Sequence, residues 1–174
     1  IRRVRGRPHD FATFAMSRNA RFMVAAIGSQ QAPRIVGDLV WIDLLTGNTR
    51  TITTHGREFF ALAVDDTGRV VASADMQGAI RVGKSTGEKP HLLLGHPEWV
   101  QSLAISPDRR SIASASGGEV RVWPIPDLNQ APLHTLPQQE LLQRARQMTN
   151  LVAVPDARAE NGYRMAYGPF PGWK

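Results

Sequence analysis

Short runs in which apolar and polar residues alternate, rich in β-branched side chains, recur along most of the chain. In the best-kept stretch they fall at about 100–105, 111–115, 119–123 and 132–136. Between them stand SPDRR, SGG and PIPDLNQ, whose Ser, Pro, Asp and Gly turn a chain rather than extend it. A two-residue period bounded by such turns predicts antiparallel strands. The period changes after Pro137. Leu141, Leu142, Ala145 and Met148 recur at helical spacing, with proline at the first helical position and Glu140 near the first turn, so 137–148 is predicted helical. LVAV (151–154) and YRMAY (163–167), separated by PDARAENG, read as a hairpin.

The strand pattern is a repeat. HGREFFALAV (55–64) aligns with HPEWVQSLAI (96–105) at an offset of 41, the distance from His55 to His96. DDTGRVVASAD (65–75) then lies over SPDRRSIASAS (106–116), and AIRV (79–82) over EVRV (119–122) after one deletion. A third copy lies upstream at an offset of 48, with FATFAMSRNARFMVAA (11–26) under FFALAVDDTGRVVASA (59–74). Its extra length is an insertion at about 28–36, before LVWID (39–43). Four short antiparallel strands per repeat of about 40 residues predict an all-β propeller architecture.

The last copy (95–123) fits G-H-x3-V-x2-L-A-[IV]-S-P-D-x-R-x-[IL]-A-S and ends in V-R-V-W, and so resembles a WD40 repeat. The resemblance covers about 6–136. It implies an all-β, WD40-type β-propeller fragment of about three four-stranded antiparallel blades (6–56, 57–97 and 98–136), followed by a helix-plus-hairpin cap at 137–174. The other copies depart from the pattern. Gly-His becomes Gly6-Arg7 in the first and Thr54-His55 in the second, Gly83 stands where the third copy has Trp123, and Ile42-Asp43 keeps only the Asp of the Trp-Asp pair. The family's buried tetrad of His, Ser or Thr, Asp and Trp implies blade-fastening roles for His55, Ser73, His96, Ser114 and Trp123. Gly117-Gly118 stands where the tetrad Asp of the last blade belongs. RVGKSTGEKPHLLLGH, RVWPIPDLNQAPLHTLP, the helix, TNL and PFPGW resemble, more finely, the C-terminal propeller of bacterial proteins in which WD40 blades follow a serine/threonine kinase domain. No Gly-rich nucleotide loop, H-R-D or D-F-G is present in the chain.

Three blades do not close a ring of 4–8. The reading therefore expects further blades upstream of Ile1, with IRRVRG as the end of a preceding one. An open three-blade array completed by dimerisation is the competing expectation.

Candidate chemistry yields to the repeat. His55 and His96 share one repeat position, and Ser73 and Ser114 another, whereas a catalytic triad needs a single constellation with an oxyanion hole. G-x-S-x-G and H-E-x-x-H are both lacking, and Asp65-Asp66 lacks the alternating ligands of a calcium loop. No catalytic, cofactor-binding or metal-ligating residue is therefore expected, and no cofactor. Trp99 falls three residues after His96, where the other copies have Glu58 and Asp10. A position that differs in kind between copies answers no shared structural need. Asp10, Glu58, Phe60, Trp99 and Gln101 are accordingly the candidate partner-binding rim, with packing on a neighbouring blade as the bland reading of Trp99.

Composition narrows the rest. The chain has 174 residues, 42% of them hydrophobic, and no cysteine, which fits a reducing compartment; the expected localisation is cytoplasmic. No run is long enough to span a membrane as a helix. Net charge is +6, carried almost wholly by arginine, but only Arg2, Arg3, Arg5 and Arg7 cluster. The expected function is a non-catalytic protein-interaction scaffold. A propeller enzyme with its site in other blades, and a nucleic-acid-binding surface on that cluster, are the competing readings.

Overall fold

The computed structural model describes residues 11–31, 34–56, 58–148, 151–155 and 163–167. Three antiparallel sheets follow one another along the chain. The first joins β1 (Phe11–Met16), β2 (Phe22–Gln31), β3 (Arg34–Asp43) and β4 (Thr49–Ile52) in sequence order. The short β5 (Glu58–Phe59) adds to the far end of β3. The second sheet joins β6 (Ala61–Val64), β7 (Val70–Ala74), β8 (Ile80–Lys84) and β9 (His91–Leu93). The third has β10 (Ser102–Ile105), β11 (Ser111–Ser116) and β12 (Glu119–Pro124).

The fourth strand expected at 132–136 does not form. Leu133–Thr135 is a single 3₁₀ turn, closed by the Leu136 amide on the Leu133 carbonyl (3.2 Å). Pro132 and Pro137 bracket this segment, and a residue without an N–H has nothing to give a strand ladder. The insertion at 28–36 lengthens β2 and β3 to ten residues each, paired out to Gln31 and Arg34. The far end of β3 then pairs with β5, Ile35 with Phe59 and Val36 with Glu58.

The repeat is realised as register. Phe14 opposes Ala25, Leu62 opposes Ser73, and Leu103 opposes Ser114, one position repeated at the offsets of 48 and 41. Leu62 and Val64 of β6 pack back onto the first sheet, in a core with Phe22, Val24, Leu39 and Ile52. Ala61 and Ala63, on the other side of the same strand, face the third sheet with Ile80, Val82, Val100 and Ile112. The second sheet is thus buried on both faces, and its large apolar side chains contribute roughly 1.5–3 kcal/mol each.

One turn recurs between the first two strands of every sheet. Its first residue is Ser17, Asp65 or Ser106, and its left-handed residue is Ala20 (φ 55°), Gly68 (φ 67°) or Arg109 (φ 59°). Ser17 Oγ accepts the Phe22 amide at 2.9 Å, and Ser106 Oγ accepts the Ser111 amide at 2.9 Å. Asn19 and Asp108 help by taking the Arg21 and Arg110 amides. In the middle sheet Asp65 alone accepts both corresponding amides, from Arg69 and Val70, each at 2.8 Å. A carboxylate at this place is turn chemistry.

Leu133–Lys174 forms a separate compact unit. Within it lie α1 (Gln138–Met148), whose Glu140 and Arg144 pair at 3.1 Å, and the antiparallel pair β13 (Leu151–Pro155) and β14 (Tyr163–Tyr167). PFPGW lies outside the described residues. Among the described residues no helix is long and apolar enough to cross a membrane.

The shared turn predicts opposite results for equivalent substitutions. A Cβ on Gly68 would lie 2.5 Å from the Phe22 ring, so Gly68→Ala should cost at least about 2 kcal/mol through clash and left-handed strain. Arg109→Gly relieves that strain at an exposed site and should stabilise by about 0.5–1 kcal/mol. Urea unfolding of both variants is the check; a shift of the same sign in the two would refute the shared turn.

Candidate interaction site

Two layers of side chains need separating: those that fasten each sheet and those left at its rim. In the third sheet Ser114 of β11 sits between His96 and Trp123. Its Oγ accepts the Trp123 indole N–H at 2.7 Å and shares a 2.6 Å hydrogen bond with His96 Nε2. His96 lies edge-on to the Trp123 ring at 5.8 Å. In the second sheet His55 Nδ1 and Ser73 Oγ are 2.9 Å apart, both buried. Gly83 replaces the tryptophan there. A Cβ on it would meet His55 Nε2 at 3.1 Å and Pro90 at 3.2 Å, so the histidine ring fills the space an indole needs. In the first sheet the same register positions hold Ala25 and Ile42, both buried and apolar. Among the described residues the polar chain is three-membered in the third sheet, two-membered in the second and absent from the first.

Neither histidine has the surroundings of a catalyst. Burial, assisted by the Arg81 charge, pushes the His55 pKa down to about 4. Among the described residues His55 Nε2 and His96 Nδ1, both buried, have no hydrogen-bond partner, and no carboxylate orients either ring. Among the described residues no group of three or more His, Asp or Glu is placed to hold a metal ion.

The rim candidates divide. Trp99 and Phe60 meet edge to face, with ring centroids 4.4 Å apart and planes at 88°. Phe60 belongs to the start of the second sheet and Trp99 to the loop before β10, so the contact crosses between neighbouring sheets. Trp99 still exposes 37% of its surface. Gln101 is exposed beside them, its amide bonded to the Ala115 carbonyl at 2.8 Å. Glu58 is half-buried, its backbone held in β5 against Val36. Asp10 lies outside the described residues, as do Arg2, Arg3, Arg5 and Arg7.

What holds the Trp99 loop came from residues the sequence reading passed over. Gly78, at φ +81° in the β7–β8 turn, lies under the backbone of that loop; a Cβ there would come within 2.4 Å of the His96 carbonyl and 2.8 Å of Glu98's. Ser116 Oγ donates to the Glu98 carbonyl at 3.1 Å from the other side. Asp75, also in the β7–β8 turn, accepts the Gln77 and Ala79 amides and pairs with Arg81 at 2.6 Å, both largely buried. The Asp-x-x-Gly spacing from Asp75 to Gly78 was the available signal, since it marks a turn that needs a carboxylate and a left-handed residue. Elsewhere a recess of about 240 Å³ lies along β1, β6 and β10, lined by Ala15, Val64 and Ile105 together with Arg18 and Asp66. Its other carboxylate, Asp65, is engaged by its own turn.

Two stability predictions follow from the fasteners. Ser114→Ala orphans two buried groups and should cost about 2–3 kcal/mol, against about 1 kcal/mol for Ser73→Ala, which orphans one; denaturant titration separates them, and equal losses refute the asymmetry. His55 is neutral in the fold down to pH about 4, whereas unfolded it takes a proton at the ordinary 6.5. Stability is therefore complete above pH 6.5 and lost as pH falls toward 4, by about 3 kcal/mol in all. His55→Gln should flatten that window in unfolding measured from pH 7 to 4; an unchanged slope refutes it.

Comparison with known proteins places this geometry. Residues 87–124 match the family model described as WD domain, G-beta repeat, on the third copy of the repeat. No curated protein sequence matches the chain. Among solved structures it is similar to a chain of the Mitotic Checkpoint Complex, with TM-score 0.52 and 22% identity over 66% of this chain and 35% of that one. It is similar as well to Kuenenia stuttgartiensis hydrazine synthase, with TM-score 0.51 and 17% identity over 67% of this chain and 33% of that one. The chain thus spans about a third of the length of each. One of these is an enzyme and the other a checkpoint assembly, so the likeness carries a fold and not a chemistry. The protein is mostly β, its three sheets share the β-propeller fold of these structures, and residues 87–124 carry a WD repeat.

Proposed function

We propose that this chain is a non-catalytic protein–protein interaction scaffold that presents Trp99 and Phe60 to a protein partner. The supporting observation is the fixed loop under Trp99. Gly78 and Ser116 hold its backbone from two sides, Phe60 packs edge-on against the indole, and more than a third of the residue's surface still meets solvent. A rigid, partly exposed aromatic loses little entropy when a partner covers it, which suits it to anchor an interface. Gln101 beside it offers an exposed amide for orientation. The finer reading makes this a recruiting or sensing module attached to a bacterial serine/threonine kinase domain; the resemblance of the 81–96, 121–137 and PFPGW segments supports it.

A photo-crosslinking amino acid in place of Gln101 tests the rim without removing its aromatic anchor. It should give protein adducts in cells that are absent when the same group replaces Arg69, on a different turn. Trp99→Ala in the crosslinking chain should lower adduct yield at least about tenfold with the thermal midpoint nearly unchanged. Adducts that persist undiminished in the alanine variant overturn the assignment.

A further inference from the structure

The recess along β1, β6 and β10 is built from positions that repeat and from one that does not. Ala15, Ala63 and Ala104 line it at a single repeat position, and their short side chains leave the space open. Each of the three strands is the end strand of its sheet, so unpaired backbone N–H and C=O groups are at hand as well. Past the strands, Ser17, Asp65 and Ser106 are taken up by their own turns. The next position is Arg18, Asp66 or Pro107, and all three line the recess. Like that of Trp99, it differs in kind between copies and answers no shared structural need.

Arg18 and Asp66 bring opposite charges to one small space without pairing. Their turn-mates are engaged: Arg21 reaches Asp43 at 3.6 Å and lies over the Phe22 ring, and Asp65 takes the Arg69 and Val70 amides. Among the described residues, neither the Arg18 guanidinium nor the Asp66 carboxylate has an ion pair or a hydrogen bond. The two turns are tied together beside them, because the Asn19 side chain donates to the Asp66 carbonyl at 2.7 Å. We propose that the recess binds a small zwitterion of the size of a free α-amino acid, its carboxylate on Arg18 and its ammonium on Asp66. A ligand with one charge would leave the other wall charge unmatched, whereas a zwitterion answers both with charge-assisted hydrogen bonds. Size points the same way: pockets for drug-sized ligands run to about 300–1,000 Å³, and this recess offers about 240 Å³. It lies at the opposite end of β10 from Trp99, and the inference is independent of that rim.

Calorimetric titration of the chain with each standard amino acid alone is the test, followed by the N-acetyl and amide forms of any that binds. At least one amino acid should bind, at one site per chain, and blocking either of its ends should weaken it at least about tenfold. Arg18→Gln and Asp66→Asn should each weaken it by a similar factor. The thermal midpoint of the free protein should stay nearly unchanged in both, since neither charged group has a partner among the described residues. Arg69→Gln, on the same turn as Asp66 but outside the lining, should bind as the parent does. Absence of binding by every amino acid overturns the proposal. So does equal binding of the blocked forms, binding indifferent to Arg18→Gln and Asp66→Asn, or an equal loss in Arg69→Gln. A recess that takes the charged side chains of a protein partner and no free amino acid overturns it too.

Discussion

The structure depends on one constraint: a blade in the series must bury both of its faces, and it does so by pointing unlike side chains to its two sides. In β6 the large residues Leu62 and Val64 face back and the small Ala61 and Ala63 face forward. The next blade repeats the scheme with Leu103 and Ile105 facing back. Bulk from one side thus meets small residues and the branched Ile80 and Val82 on the other. A strict two-residue period within a strand, and a strict register between strands, are what keep this arrangement in step over two offsets of different length. The difference between 41 and 48 is absorbed where it does no harm, in the far ends of β2 and β3.

Within that scheme each blade settles its interior differently. The third uses a tryptophan, a serine and a histidine linked by hydrogen bonds. The second gives up the indole and lets the histidine occupy its place. The first uses alanine and isoleucine. Apolar replacement of a hydrogen-bonded set is close to neutral when every member goes together, whereas losing one member leaves buried polar atoms unmatched. That asymmetry accounts for the coexistence of all three solutions in one chain, and it places the greatest sensitivity at Ser114, on which two other groups depend.

The repeat made most of the architecture readable, because a two-residue period and turn chemistry are local properties. Asp65-Asp66 and Asp108 could be taken as turn residues from their neighbours alone, and the carboxylates of Asp65 and Asp108 each serve their own loop. The spacing of His96, Ser114 and Trp123 brought together three side chains that meet in space. Less visible were features set between repeats. The edge-on contact of Trp99 with Phe60 joins residues from different copies, and no periodicity within one copy encodes it. Gly78 belongs to one copy and the backbone it supports, at His96 and Glu98, to the next. The strand expected at 132–136 failed because two prolines outweigh an apolar alternation that short. β5 was hidden for another reason: only two residues long, it exists because an insertion from the preceding copy reaches it.

That small strand gives the first two blades a different kind of union from the second and third. Contacts between faces are made by side chains and yield gradually when the faces slide. The pairing of Ile35 with Phe59 and Val36 with Glu58 is made by backbone, in the connection that carries the chain from one blade to the next. A pull along the chain must break these hydrogen bonds before β6 can leave its neighbour. The insertion thus ties the first two blades by backbone pairing as well as by the packing of their faces.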